Sequence, residues 1–213
     1  MLADRIRRDY KRVDVLINNA GARFDRYQET AEGIELTFAT NHLGHFLLTR
    51  LLLEPLMCAP AARVVTVGSS AHAGAGTGDD WNLTRSTYDR RLAYARSKLA
   101  NIMFAYELAD RLRDTGMTSN AVDPGFVLTK FARNNGLVSW LKHNVAHAFR
   151  CELVLPYQGA RDLIQLAAAK DVAAVTGKYF LAGREVESSS ASYDRTAARH
   201  LWDLSERLTG LSS

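Results

Sequence analysis

The sequence predicts an α/β chain built on a parallel sheet with helices on both faces, and three observations carry that expectation. Short β-branched runs, Val13–Ile17, Arg63–Val67 and Thr118–Val122, each end abruptly in small, polar or proline-containing turns. Stretches with helical apolar spacing lie between them. The runs are apolar on both faces, as strands buried between two helical layers are, and such strands are joined by right-handed crossovers.

Taken in order, Val13–Ile17 is delivered into Asn18-Asn19-Ala20-Gly21. Thr30 to Leu56 then places Ile34, Phe38, Leu43, Phe46, Leu47 and Leu51 on one helical stripe, closed by Pro55 and Pro60. Arg63–Val67 ends at Gly68-Ser69-Ser70, and Leu92 to Arg113 reads as a long helix stopped by Gly116. Thr118–Val122 leads into Asp123-Pro124-Gly125, after which Phe126 to Leu155 is mixed and partly helical. Pro156 stands where a helix begins, with Tyr157 to Ala169 continuing it. Gly177–Leu181 reads as a last strand and Ala197 to Leu208 as a terminal helix. No repeat or linker divides the 213 residues, so a single domain, 1–213, is expected.

With 47% hydrophobic and 23% charged residues the chain has a globular balance. The net charge of +4 is spread along it, apart from Arg5, Arg7, Arg8, Lys11 and Arg12, which read as the solvated face of a short helix. Nucleic acid is therefore not an expected partner. Cys58 and Cys151 lie far apart without metal-ligand or disulfide spacing, which fits a reducing, cytoplasmic setting. The most apolar stretch, Phe46 to Met57, contains Arg50 and Glu54 and is too short for a transmembrane segment.

In open α/β sheets ligands gather beyond the carboxyl ends of the strands, and five features fall there or on the following helix. Tyr94 and Lys98 are four apart on a helix and share a face. A lysine ammonium near a phenol favours the phenolate, letting the tyrosine exchange a proton with an alcohol or carbonyl; alone, the spacing equally describes a solvated face. Ser69 can hydrogen-bond an oxygen on which charge develops, or serve only its turn. Asn18–Gly21 lets a ligand approach the backbone, or simply turns the chain. Asn41 is a polar amide on an apolar stripe, either an anchor or part of a site. His42 and His45 beside it lack an acidic third ligand, so no metal is expected. Pro124-Gly125 forms a rigid turn with Thr129 four residues beyond.

Together and in this order, these elements resemble the short-chain dehydrogenase/reductase family: NNAG, an asparagine on the next helix, a serine after the following strand, YxxxK, then PG and a threonine. The segment Thr40–Thr49, the 25-residue interval from Ser69 to Tyr94, and Leu201-Trp202-Asp203-Leu204-Ser205 resemble the branch of retinol dehydrogenases and WW-domain oxidoreductases. The resemblance implies a Rossmann-like sheet, N-terminally incomplete, since TGxxxGIG and the first three strands have no counterpart here. Val13–Ile17 would then be an edge strand with apolar side chains on both faces.

The resemblance also implies the roles. Tyr94 is the acid/base, Ser69 orients the substrate oxygen, Lys98 lowers the tyrosine pKa and holds the nicotinamide ribose, and Asn41 positions a water that connects Lys98 to solvent. Asn18, Ala20 and Gly21 flank the cofactor with Pro124 and Gly125, Val127 meets the carboxamide, and Thr129 meets a phosphate or the carboxamide. The expected cofactor is NADP, with NAD as the alternative. The expected substrate is a small apolar alcohol, aldehyde or ketone, under a lid carrying Phe131, Trp140 and Phe149. A homodimer through the long helices is implied as well. The alternative is an inactive interaction module that lends its edge strand to a complete family member.

Overall fold

The structure is a computed structural model, and it describes residues 2–76, 80–127, 133–136 and 153–211. Helix α1 (Leu2–Asp9) precedes strand β1 (Val15–Asn18). A polar loop leads to the one-turn α2 (Leu36–Phe38), a π-helical turn over Ala39–Leu43, α3 (Gly44–Leu51) and α4 (Leu53–Met57). Then come β2 (Arg63–Val67), a 3₁₀ turn at Ser70–Gly74, α5 (Arg90–Arg111) and β3 (Thr118–Asp123). Beyond them lie β4 (Phe126–Val127), β5 (Leu153–Val154), α6 (Pro156–Ala168), β6 (Tyr179–Leu181), β7 (Arg184–Val186) and α7 (Arg195–Thr209).

The main sheet has the order β1-β2-β3-β6-β7. Its first four strands are parallel, and β7 pairs antiparallel with β6. Side chains alternate across it, as the pleat requires. Val64 packs with Phe104 and Leu108 of α5, whereas Val65, Val67 and Val122 pack with Leu166 of α6. Helices therefore cover both faces. β4 and β5 form a separate parallel pair.

β1 is the sheet edge, as expected: Val15 and Ile17 are 38% and 39% exposed, while Leu16 packs with Ile6 and Val13 into the core. The basic residues of α1 are exposed, with Arg7 on Asp4 and Arg8 on Asp9. No helix of the described residues is long and apolar enough to cross a membrane.

Two differences from the sequence reading matter for the site. The helix expected over Thr30–Leu56 is not continuous. Thr30 to Ile34 forms a turn, Glu35 caps α2 by accepting from the Thr37 and Phe38 amides, and the next turn widens so that Gly44 N–H reaches Ala39 O, five residues back. A polar amide forced inward is the physical reason, as the site shows below. The strand Gly177–Leu181 does not end the sheet either: Ala182 and Gly183, at φ 50° and 73°, turn the chain into β7.

Candidate active site

α5 supplies the central pair. Asp89 caps this helix, its carboxylate accepting from the Arg91 and Leu92 amides at 2.8 Å, so the twenty-two residues that follow start in register. Tyr94 and Lys98 lie one turn apart on the face that meets the ends of β2 and β3. The Ser69 side chain faces the Tyr94 hydroxyl and favours its ionised form. Lys98 is 3% exposed, and its Nζ donates to Val67 O at 3.0 Å and lies 5.7 Å from the Tyr94 ring centre. Three of the four residues predicted to carry the chemistry are thus in one place.

The fourth, Asn41, joins them from the π-helical turn. It is fully buried. Its Oδ1 accepts from Ala22 N at 2.8 Å, and its Nδ2 donates to Ala22 O at 2.9 Å and Ser97 Oγ at 3.0 Å. Asn41 thereby fixes the loop after β1 against α5. Satisfying three partners on two elements turns its amide inward, and the widened helical turn accommodates this. At Gly21 a Cβ would come 3.3 Å from Asn41 Oδ1 and 3.8 Å from Lys98 Nζ, so glycine keeps that loop close to the pair.

Not every predicted residue lines this surface. Asn18 is 1% exposed, with its Nδ2 donating to Thr49 Oγ1 at 3.0 Å and Thr66 Oγ1 at 3.4 Å. It ties β1 to β2 and α3 beneath the loop. Ala20 and Gly21 follow β1, Pro124 and Gly125 follow β3, and Val127 on β4 packs at Gly159 of α6. Thr129, Phe131, Trp140, Phe149 and Cys151 lie outside the described residues, and so does most of the expected lid.

Burial governs the electrostatics of the pair. Burial pushes the Tyr94 hydroxyl up to about 12, with Ser69 and Arg23 pulling it down and Asp123 raising it further. Burial also brings the Lys98 ammonium down to about 8, which the Asp123 charge partly offsets. Here the Lys98 ammonium is aimed at Val67 O, and desolvation is the largest influence on the phenol. The site therefore presents Tyr94 with its proton on.

Residues the motifs did not mark complete it. Asp123, 3% exposed, accepts from Ser70 N at 2.5 Å, Gly125 N at 2.8 Å and the Tyr179 hydroxyl at 3.3 Å. The signal available was a carboxylate at the end of an apolar strand, where a charge must find partners. His42 is satisfied in the core by Asn101 and Ser205, and burial holds it at about 3. His45, 6% exposed, stands near Lys98 with both ring nitrogens lacking a well-formed hydrogen bond, and burial holds it at about 4. Among the described residues no group of three side chains could hold a metal ion.

The family model of short chain dehydrogenases matches residues 1–137, nearly two thirds of the chain. The chain belongs to the short-chain dehydrogenase family. Within that family it is 43% identical over 204 residues to retinol dehydrogenase 14 of Homo sapiens, covering 94% of this chain and 60% of that protein. It thus spans about three fifths of the length of this curated relative. A crystal structure of an uncharacterised protein from Mycobacterium paratuberculosis superposes with TM-score 0.73 at 32% identity, covering 98% of this chain and 71% of the other. RhlG of Pseudomonas aeruginosa, solved as an NADP active-site complex, shares the fold (TM-score 0.64, 23% identity, 84% of this chain and 68% of that one). The retinol-dehydrogenase-like short-chain dehydrogenases are the branch to which the sequence pattern pointed.

Proposed function

We propose that this chain carries the catalytic residues of an oxidoreductase that transfers a hydride between a nicotinamide nucleotide and an alcohol or carbonyl. The observation that carries the reading is the Tyr94 hydroxyl facing Ser69 beside a buried Lys98. The residues fit the nucleotide: Gly21 leaves open the space where a Cβ would crowd Asn41, within reach of Lys98, and a lysine ammonium with three donors has capacity beyond Val67 O. Lys98, Gly21 and Val127 would hold it, and when bound it supplies or accepts the hydride.

The chain's own residues supply the rest. Ser69 orients the substrate oxygen and stabilises charge that builds there. Tyr94, protonated in the buried site, gives its proton to that oxygen during reduction and takes it back during oxidation. Asn41 keeps the loop after β1 in place over Lys98 and positions the water that serves it. The reading includes a small apolar alcohol, aldehyde or ketone as substrate, NADP ahead of NAD, a homodimer and a cytoplasmic setting. Its support for the substrate is the likeness to retinol dehydrogenase 14, and for the cofactor the resemblance of the sequence pattern to that branch.

The test is a titration of the purified chain with NADPH by nicotinamide fluorescence, followed by turnover of apolar aldehydes. Tyr94→Phe is expected to abolish turnover and leave nucleotide binding in place; turnover at the wild-type rate in that variant would overturn the reading. The exposed edge of β1 favours a second reading, an inactive module that pairs with a complete family member. A cooperatively folded chain that binds no nucleotide and co-elutes with such a protein would select it.

A further inference from the structure

Asp123 belongs to none of the family elements recognised in the sequence, yet it stands where three of them meet. It ends β3. One carboxylate oxygen accepts from Gly125 N, within the turn after β3, and the other accepts from Ser70 N, the residue after Ser69, and from the Tyr179 hydroxyl on β6. The loop that presents Ser69 is fastened a second time by His72, whose Nδ1 lies 2.7 Å from Ser69 O and whose ring stands edge-on to Tyr179 at 5.3 Å.

We propose that Asp123 is a positioning residue for this site: its single carboxylate locks the Ser69 loop to the Pro124-Gly125 turn, and its buried charge faces the Tyr94–Lys98 pair to keep both protonated. The proposal rests on reading Tyr94 as the acid/base. A hydrogen-bonded carboxylate shielded from water acts on neighbouring groups far more strongly than a solvated one. The same charge raises Tyr94 and raises Lys98. The other groups facing the pair are Ser69 beyond β2, Arg23 beyond β1, Tyr179 on β6 and His45 on α3. Arg23 acts on the tyrosine from beyond β1, leaving Asp123 as the anion that both members of the pair sense. Its effect is on the pH range in which each direction runs, not on the equilibrium of the reaction.

The experiment follows Lys98 itself by carbon-13 NMR of labelled lysines in the nucleotide-free, full-length chain, assigned with Lys98→Met. Asp123→Asn keeps the shape and removes the charge, and Lys98 is expected to titrate about one pH unit lower. Asp123→Glu keeps the charge and is expected to restore the wild-type titration, although the longer side chain disturbs the two amides and lowers kcat. In parallel, the high-pH fall of kcat/KM for aldehyde reduction is expected to move to lower pH in Asp123→Asn only. A purely structural role would lower kcat in both variants and move neither titration. If Asp123→Asn fails to fold, Tyr179→Phe replaces it. That change strips a donor from the carboxylate and leaves its charge, so Lys98 is expected to titrate higher. An unmoved Lys98 in either variant overturns the proposal. Wild-type turnover by Tyr94→Phe instead overturns the functional reading, whatever Lys98 does.

Discussion

Gly159→Ala tests whether α6 is packed against the turn after β3 as tightly as the structure indicates. A Cβ at Gly159 would come 2.4 Å from Val127 Cγ2, 3.3 Å from Val127 Cγ1 and 3.4 Å from Pro124 O. Carbon atoms pack at about 3.5–4.0 Å, so the closest pair is short by more than about one ångström. Valine cannot rotate out of the way, because its second branch is already near the limit and β-branched side chains have few rotamers. Either β4 or α6 must move, at a typical overpacking cost of about 1–3 kcal/mol. Replacing a helical glycine by alanine returns up to about 1 kcal/mol. The net expectation is a loss of about 1–2 kcal/mol, or about 2–8 °C in Tm for a chain of this size.

The same movement shifts Val127, so nucleotide affinity is expected to fall about fivefold for each kcal/mol transmitted to the site. Gly44→Ala is the matched control. Its Cβ would meet only Ala39 O, at an ordinary 3.5 Å, and the substitution is expected to raise stability by up to about 1 kcal/mol. Thermal unfolding by circular dichroism and NADPH titration measure both. A Gly159→Ala protein that is stabilised like Gly44→Ala, with unchanged nucleotide affinity, would refute the packing argument.

Other outcomes follow from the buried polar groups and the core. Asn41→Ala removes three hydrogen bonds, two to Ala22 and one to Ser97, and at about 1 kcal/mol each is expected to destabilise by about 3 kcal/mol in urea unfolding. His42 and His45 are held at about 3 and about 4, well below an unfolded value of about 6.5, so the unfolded chain takes up their protons first as pH falls. Their contribution is present above pH about 6.5 and is lost toward pH 4 at about 1.4 kcal/mol per pH unit for each; His42→Gln should lower the slope of ΔG against pH by about that amount in the window. Phe46 is fully buried between Phe104 and Trp202, at ring distances of 5.7 and 5.0 Å, and Phe46→Ala is expected to cost about 3–5 kcal/mol by chemical denaturation.

Much of this site was legible because each strand ends where its β-branched run meets residues that cannot continue it. Asn19-Ala20-Gly21, Gly68-Ser69 and Pro124-Gly125 mark three such ends, and they place the loops that converge on Tyr94 and Lys98. What escaped the reading depends on contacts far apart in sequence. The wide turn at Ala39–Leu43 arises from partners at Ala22 and Ser97, and apolar spacing passes through it unchanged. β7 is three residues long and mostly polar, so neither period nor hydrophobicity announces it. Asn18 belongs to the right motif but faces inward, since a side chain's direction depends on the strand register with β2. The rise of the Tyr94 hydroxyl could not be read from a four-residue spacing, because it comes first from burial among elements far apart in sequence.

The wide turn also makes this segment intolerant of a change in length. A π-helical turn holds one more residue than an α-turn for nearly the same rise, so it acts as a phase shifter between α2 and α3. Removing Thr40 would let the helix run on with regular spacing and rotate everything upstream by about 100° relative to α3. Asn41 would stay in phase with His45 and Thr49, while Phe38 and the Glu35 cap would leave the positions they now hold. The extra residue sets the angular register of a helix that must present its core stripe before the turn and its polar anchor within it.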